Sequence, residues 1–573
     1  MLDTILNLLK EALGILVILS LVGILALFVY DKFIQRRHSL LISYPVIGRF
    51  RYLFEALREP MRQYFGEESF YESRDKVDWV YAASRDKPNY KSFSVSQPFA
   101  SSRFVIKHTE HVLNNDEVSD DFSITFGDTR EIPFEAASPI IRSAMSDGAL
   151  SPEAVRAFVI GAESAKFALN TGEGGLTSNF FYTHSPSINN APYLEIVHPK
   201  KFAQFVFKIV AFFSNRAMAI KLYKQMLVDK KIANTYIYDP SSGVLFRVNW
   251  DAPIESFPQQ VPDDMPDLIF QIGSGLYGVR DSDGKFDEAR YEKVMRFCHM
   301  SEIKIAQGAK QTGGKLAANK VTADIAYYRG VEQDRDLISP NRFPYASSVE
   351  ELLDFVSKLQ SISKKPVGLK IVISDMNNLN QVTQKLVQRK QEGKTLPDFL
   401  TVDGGDGGSA TAPLELMESV GMTTANALYM VDKALREHNL RDEMRIIASS
   451  KTLTPDDVVI LLSLGADAVG IARGFMMSAG CIRARVCSGI NNHHCPVGIA
   501  TQDPNKRAAF IVVKQGKNIA NYHNNLIKGI KTILAVMGKK SIHNIDKSDL
   551  TYVDRQGHIY FDICAYFENK LRY

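Results

Sequence analysis

DFLTVDGGDGGS (398–409) runs from a continuous apolar stretch directly into glycine and aspartate. An unbroken run of this kind suits a strand buried on both faces of a parallel sheet. The glycines at its end let backbone amides approach an anionic or planar ligand closely. Seven further stretches share the pattern: PIIRSAMSDGALS (139–151), KFALNTGEGG (166–175), DLIFQIGSGLYGV (267–279), SEIKIAQGAK (301–310), VGLKIVIS (367–374), MRIIASSKT (444–452) and ADAVGIARG (466–474). Helical stretches such as SPEAVRAFVIGAESA, SVEELLDFVSKLQSI and TPDDVVILLSLG lie between them. This alternation predicts parallel β/α units and an α/β fold, either a closed (β/α)8 TIM-type barrel or a doubly wound sheet. The barrel is favoured because nearly every strand runs into small or polar residues at its C-terminal end, where barrels assemble their sites.

Outward from these units, the expected barrel domain covers residues 121–520, with an insertion around 176–266 that is too long for one crossover. Residues 521–573 form an expected C-terminal helix and tail, a small extension in which DRQGHIYFDICAYF (554–567) alternates as one or two short strands would. Residues 32–120 read as a juxtamembrane and linker segment. Ahead of it, residues 12–30 (ALGILVILSLVGILALFVY) carry no charge, enough for one membrane-crossing helix, so residues 1–31 are expected to be a retained transmembrane anchor. Lys32, Arg36, Arg37 and His38 follow directly, which places the catalytic body of a single-pass membrane protein on the cytoplasmic side.

The 573 residues are 45% hydrophobic and 23% charged, an ordinary globular balance. A formal net charge of +4, with no basic run interleaved with aromatics, gives no footprint for nucleic acid. Five cysteines are too few for a disulfide scaffold, which argues for a reducing compartment.

Three groups of residues carry the chemistry. The strand ends NTGEGG (170–175), TVDGGDGGSA (401–410), IIASSKT and GIARG favour FMN bound through backbone amides, and no strand–GxGxxG–helix unit supports a dinucleotide. EIKIAQGAKQTGGKLAANK sets Lys304, Lys310, Lys315 and Lys320 among small residues, with Arg329 close behind. Lys304 could stand by a flavin ring and Lys310 and Arg329 could hold substrate carboxylates, although a solvated basic loop has the same composition. Glu173 is the acid nearest this group, suited to proton transfer or to capping a helix. Finally GCIRARVCSGINNHHCPVGIATQ (480–502) gathers Cys481, Cys487 and Cys495 in a C-x5-C-x7-C spacing. Three thiols at that spacing suit an iron–sulfur site, or else three buried free thiols.

Taken in order, SAMSDGALS, LNTGEGG, FQIGSGLYGV, EIKIAQGAK, LISPNR, TVDGGDGG, IIAS, GADAVGIAR and CPVGIATQ resemble the FMN-binding synthase domain of glutamate synthase, in its stand-alone, membrane-anchored form. The resemblance runs from about residue 40, at YPVIGRFRYLFE, to about residue 525. It implies FMN, a [3Fe-4S] cluster on Cys481, Cys487 and Cys495, and reductive conversion of 2-oxoglutarate plus ammonia to L-glutamate by hydride from reduced FMN. Lys304 would contact the flavin and Glu173 would lie in the catalytic cavity. Lys310 and Arg329, with Lys315, would face the substrate. Ala144, Met145, Ser146, Asn170, Gln307, Asp403, Gly404, Gly405, Ser449, Ser450, Gly470, Ala472 and Arg473 would bind the cofactor. The chain departs from the family pattern at the long SGINNHH spacer, where His493 and His494 offer alternative ligands, at Lys315 in place of a glutamine, and at Ser450 in place of a glycine. Relatives with a glutaminase domain begin on a cysteine nucleophile, whereas the first cysteine here is Cys298. Ammonia is therefore expected free or from a partner, and electrons from a ferredoxin, a reductase subunit or a membrane carrier. The resemblance leaves room for an FMN-dependent dehydrogenase of another small carboxylic acid, or for a non-catalytic barrel.

Overall fold

The computed structural model describes the chain apart from residues 1, 36–38, 52, 55–56, 58–60, 62–72, 89, 91–102, 185–190, 214–215, 231, 241, 309, 312, 414, 418, 491–493, 509 and 572–573. Two compact units result, Met1–Arg74 and Asp75–Tyr573. In the first, Leu2–Val29 is one α-helix continued by Tyr30–Ile34. Its span Leu9–Ile34 is long and apolar enough to cross a membrane. The basic flank Arg36, Arg37 and His38, and most of the linker stretch 86–102, lie outside the described residues.

The second unit is built on eight parallel strands: β1 Ile140–Arg142, β2 Ala168–Asn170, β3 Leu268–Ile272, β4 Met300–Lys304, β5 Val367–Val372, β6 Phe399–Asp403, β7 Arg445–Ser449 and β8 Ala468–Ile471. They pair in chain order, and β8 returns to β1 with Gly470 opposite Ile141, closing the barrel. Every one of the eight sequence stretches supplies a strand. They read as apolar runs because both faces are covered, by the barrel interior on one side and by helices on the other.

Helix α1 (Pro152–Ala165) shows how locally the connections are specified. Ser151 caps it by accepting from the Ala154 N–H, Pro152 occupies its first turn, and Lys166 ends it in the left-handed region at φ 54°. Its partner is the long helix Val512–Met537, whose Ile519, Leu526, Ile530 and Leu534 bury one stripe. The two helices cross closely at Gly161 and Gly516, where a Cβ would run into Ile519 and Ile160 respectively. Residues inside the stretch read as linker also belong to this unit: Val77, Val80 and Ala83 join the core, and Arg103–Ile106 pairs antiparallel with Leu550–Val553. One expectation changes at the C-terminus. Ile559–Tyr560 is a strand, but Ile563–Leu571 is helical, started by Asp562 accepting from the Cys564 and Ala565 N–H groups.

His523 on the long helix is buried against Phe167, with Nε2 2.8 Å from Ser138 Oγ. Burial pushes its pKa down to about 4, so the folded protein favours the neutral ring. The stability this contributes is complete above the unfolded value of about 6.5 and is lost as pH falls towards 4. Between pH 7 and 4 the loss should reach about 2–3 kcal/mol. His523→Gln is expected to flatten that part of the melting-temperature profile, and an unchanged slope would remove His523 as its source.

Between β2 and β3 the chain leaves the barrel. A sheet of Leu194–Val197, Leu245–Val248 and Ile237–Tyr238 carries two helices, α2 (Lys201–Phe213) and α3 (Arg216–Leu227). Ala203, Tyr223, Tyr236, Tyr238 and Leu245 give this excursion a small core of its own.

Candidate active site

Four charged residues meet at the C-terminal end of the barrel. Glu173 lies in the loop after β2, and Lys304, the last residue of β4, donates from Nζ to its Oε2 at 3.1 Å. Glycine frames the carboxylate, because a Cβ on Gly273 or Gly314 would collide with it. Lys310 is buried and donates to Thr411 Oγ1 at 3.0 Å. Burial, then the like charge of Lys304, draws its pKa below the ordinary lysine range. Arg329 closes the short helix Ala323–Arg329 and donates to the Asp147 carbonyl at 3.1 Å and Ser146 Oγ at 3.3 Å. Its guanidinium sits 5.3 Å from the centre of the Tyr277 ring, and its Nε has no partner among the described residues. Neither Lys310 nor Arg329 is bonded to a carboxylate among the described residues. Two buried cations with no carboxylate bonded to them among the described residues, and only the shared charge of Glu173 nearby, suit a ligand carrying more than one carboxylate.

Below this rim lies a polar layer that the sequence reading missed. Glu302 on β4 is buried and accepts from Asn170 Nδ2 at 2.9 Å, Gln271 Nε2 at 2.6 Å and Thr401 Oγ1 at 2.5 Å. Lys370 on β5 forms an ion pair with Asp403 at 3.0 Å. Burial opposes the Lys370 charge, but Asp403 and then Glu302 outweigh it and hold the pKa above the ordinary lysine range. A charged residue inside an otherwise apolar strand, as in VGLKIVIS and SEIK, was the available signal.

The expected cofactor residues divide into two groups. Asn170 is committed to Glu302 and to the Gly172 N–H, and Gly405 donates to the Met422 carbonyl, so these set the loops. Asp403 is likewise held, by Lys370. Gly172 has φ 67° and lies against the backbone of Met145 and Ser146, where a Cβ would come within 2.6 Å of Ser146 N; this holds the loop after β1 against the loop after β2. By contrast Gly470 is open: a Cβ there would meet nothing nearer than 3.7 Å, with Ser143 and the Ala448 carbonyl as its surroundings. Ser449 ends β7 opposite Gly470 and Ser450 follows it, and Ala472 and Arg473 follow β8. Arg473 Nη2 reaches within 3.2 Å of where a Gly408 Cβ would be, and Gln307 Nε2 donates to the Gly408 carbonyl at 3.5 Å. An open strand end with a guanidinium on the same rim fits a phosphate-bearing cofactor such as FMN.

Lys315 does not join the cluster through its side chain. It is exposed and pairs with Asp336 at 3.4 Å. The cysteines share a loop, and among the described residues no group of three Cys, His, Asp or Glu that could hold a metal ion is found. Cys481 Sγ accepts from the Arg483 N–H at 3.3 Å, and Lys320 donates to the Cys487 carbonyl at 2.6 Å. Burial, with Cys495 adding to it, pushes the Cys487 thiol up. His494 Nδ1 lies 3.3 Å from Thr501 Oγ1, and His493 is outside the described residues. A cleft of about 310 Å³ lined by Lys166, Pro262, Asp267 and His299 lies at the opposite, N-terminal rim of the strands.

Residues 74–540 match the family model for the conserved region in glutamate synthase. The chain belongs to the glutamate synthase family. It is 30% identical to the glutamate synthase large subunit-like protein YerD of Bacillus subtilis (strain 168), over 96% of this chain and 98% of that one. It is 33% identical to the archaeal glutamate synthase [NADPH] of Methanocaldococcus jannaschii over 48% of this chain and 51% of that one. With the ferredoxin-dependent glutamate synthase of Cyanidium caldarium the figures are 30% identity, 50% of this chain and 18% of that one. The chain thus spans about half, or less, of the latter two. Family membership makes it an oxidoreductase of the glutamate synthase kind.

Proposed function

We propose that the protein reductively aminates 2-oxoglutarate to L-glutamate with free or partner-supplied ammonia. The convergence of Glu173, Lys304, Lys310 and Arg329 on the catalytic end of the barrel supports this reading above all else. Arg329 and Lys310 bind the two carboxylates of the substrate, Arg329 through a planar fork held by Ser146 and Asp147. Glu173 moves protons as ammonia adds to the keto carbon and water leaves, while Lys304 keeps the carboxylate oriented. FMN, when bound and reduced, supplies the hydride. Gly470, Ser449, Ser450 and Arg473 would hold its phosphate, and Ala144, Met145, Ser146 and Gln307 would line it.

The electron donor is a separate ferredoxin, reductase subunit or membrane carrier. The apolar helix ending at Ile34 supports attachment to a membrane, and the basic residues that follow it support a body on the cytoplasmic side. The [3Fe-4S] reading stays with the spacing of Cys481, Cys487 and Cys495 and with the resemblance, and no step is routed through it. Anaerobically prepared protein given reduced donor, ammonia and 2-oxoglutarate should form glutamate. Arg329→Gln should raise KM for 2-oxoglutarate by about 10- to 200-fold, the loss of one charge-assisted carboxylate contact. EPR on the same sample reads the cluster. If 2-oxoglutarate neither perturbs the flavin spectrum nor turns over while another acid does, the substrate assignment fails.

A further inference from the structure

Helix α2 packs Ala203 and Phe207 inward, with Phe207 against Tyr223 of α3 and Tyr238 of the small sheet. Its other face has no cover among the described residues. Phe202 is 71% exposed, Phe205 61%, Phe212 83% and Phe213 82%, with Ile209 exposed between them. These positions fall three, four and three residues apart before the terminal pair, so they form one continuous apolar stripe. Isolated exposed apolar residues are ordinary, whereas a stripe of four phenylalanines marks a surface built to be covered.

Charge indicates the cover. From His198 to Val228 the chain carries Lys200, Lys201, Lys208, Arg216, Lys221 and Lys224 and no acid at all. Lys200, Lys201 and Lys208, at the start of α2 and along it, are exposed, as is Lys221 on α3. Two copies meeting through this face would bring like charges together. An apolar aromatic stripe rimmed by lysines, whose stems lie along it while their ammoniums stay in water, is the form of a helix lying in an anionic lipid interface. The helix Leu9–Ile34, long and apolar enough to cross a membrane, is a second segment of the same chain suited to lipid.

We propose that α2 is a membrane-surface element: it lies in the plane of an anionic bilayer with Phe202, Phe205, Ile209, Phe212 and Phe213 among the acyl chains and the lysines at the headgroups. The excursion between β2 and β3 is then a second point of attachment, carried by the catalytic body and independent of the N-terminal helix. It stands whether or not the barrel makes glutamate.

The test uses the full chain reconstituted in vesicles, with Phe212→Trp as reporter and the parent protein, whose tryptophans are Trp79 and Trp250, as background. In vesicles containing phosphatidylglycerol the new tryptophan should show a blue shift and lose emission when the acyl chains are brominated. Raising the salt should weaken the loss by screening the lysines. Phe205→Asp in the same background should weaken it further while leaving the melting temperature unchanged, since residue 205 faces outward. No loss beyond the parent's overturns the proposal. Equal loss in purely zwitterionic vesicles overturns its electrostatic part. A blue shift without bromine quenching that grows with protein-to-lipid ratio assigns the face to a second copy and overturns it as well.

Discussion

Glu173→Gln is expected to lower the rate of glutamate formation by about 10²- to 10⁴-fold, the range for losing a positioned general acid–base. The glutamine fits the same slot between Gly273 and Gly314 and can still accept from Lys304, but it cannot carry a proton. Flavin content and the spectral response to 2-oxoglutarate should therefore persist while turnover falls. A rate that stays near the parent's would make Glu173 only a support for Lys304. Gly314→Ala separates position from acidity: it leaves the carboxyl group chemically intact but drives a methyl into it, so it should lower activity without changing the pH profile as Glu173→Gln does.

The second large effect is on stability. Lys370 and Asp403 are paired at 3.0 Å and both nearly inaccessible, with Glu302 close by. Lys370→Met leaves the two carboxylates in the barrel without their cation, and removing one partner of such a pair costs about 3–5 kcal/mol. Asp403→Asn added to Lys370→Met should restore part of that loss, a coupling that a double-mutant cycle of unfolding midpoints measures. A single substitution that costs almost nothing would show that Lys370 does not neutralise the layer.

The barrel was legible because parallel strands covered on both faces must be apolar throughout, and their ends must be small or polar where the site forms. Ala468–Ile471 and Phe399–Asp403 are plain cases. What the pattern did not carry was the inside of the barrel. Glu302 and Lys370 are polar residues within apolar runs, and only closure of the ring brings them to Asn170, Thr401 and Asp403. Glu173, Lys304, Lys310 and Arg329, readable from the glycine- and lysine-rich strand ends and implied again by the resemblance, come together in space; Lys315, from the same loop, turns out to Asp336. The cysteine spacing gave nearness along the chain; in the structure burial, and then the nearness of Cys495, push the Cys487 thiol up, while no group of three metal-ligating residues is found among the described residues. At the C-terminus, ICAYF alternates like a strand, but Asp562 ahead of it is a helix cap, a local signal stronger than so short an alternation.

The glycines of the catalytic rim have one more consequence. Gly172 touches the backbone after β1, Gly175 lies against Gly278 after β3, and Gly308 after β4 abuts the Gly404 carbonyl after β6. Neighbouring loops thus meet main chain to main chain, with no side chain between them to absorb a change. A change at one of these glycines must therefore be matched in the loop it touches, whereas the face of α2 bearing Phe205 and Phe212 is exposed and can vary, even though the excursion itself is tied to the helix carrying Arg329 by Tyr328 Oη donating to the Thr235 carbonyl and by Arg247 over the Tyr327 ring. Site chemistry and surface properties can drift apart in such a protein, because the packed rim and the exposed face of α2 are under different steric constraints.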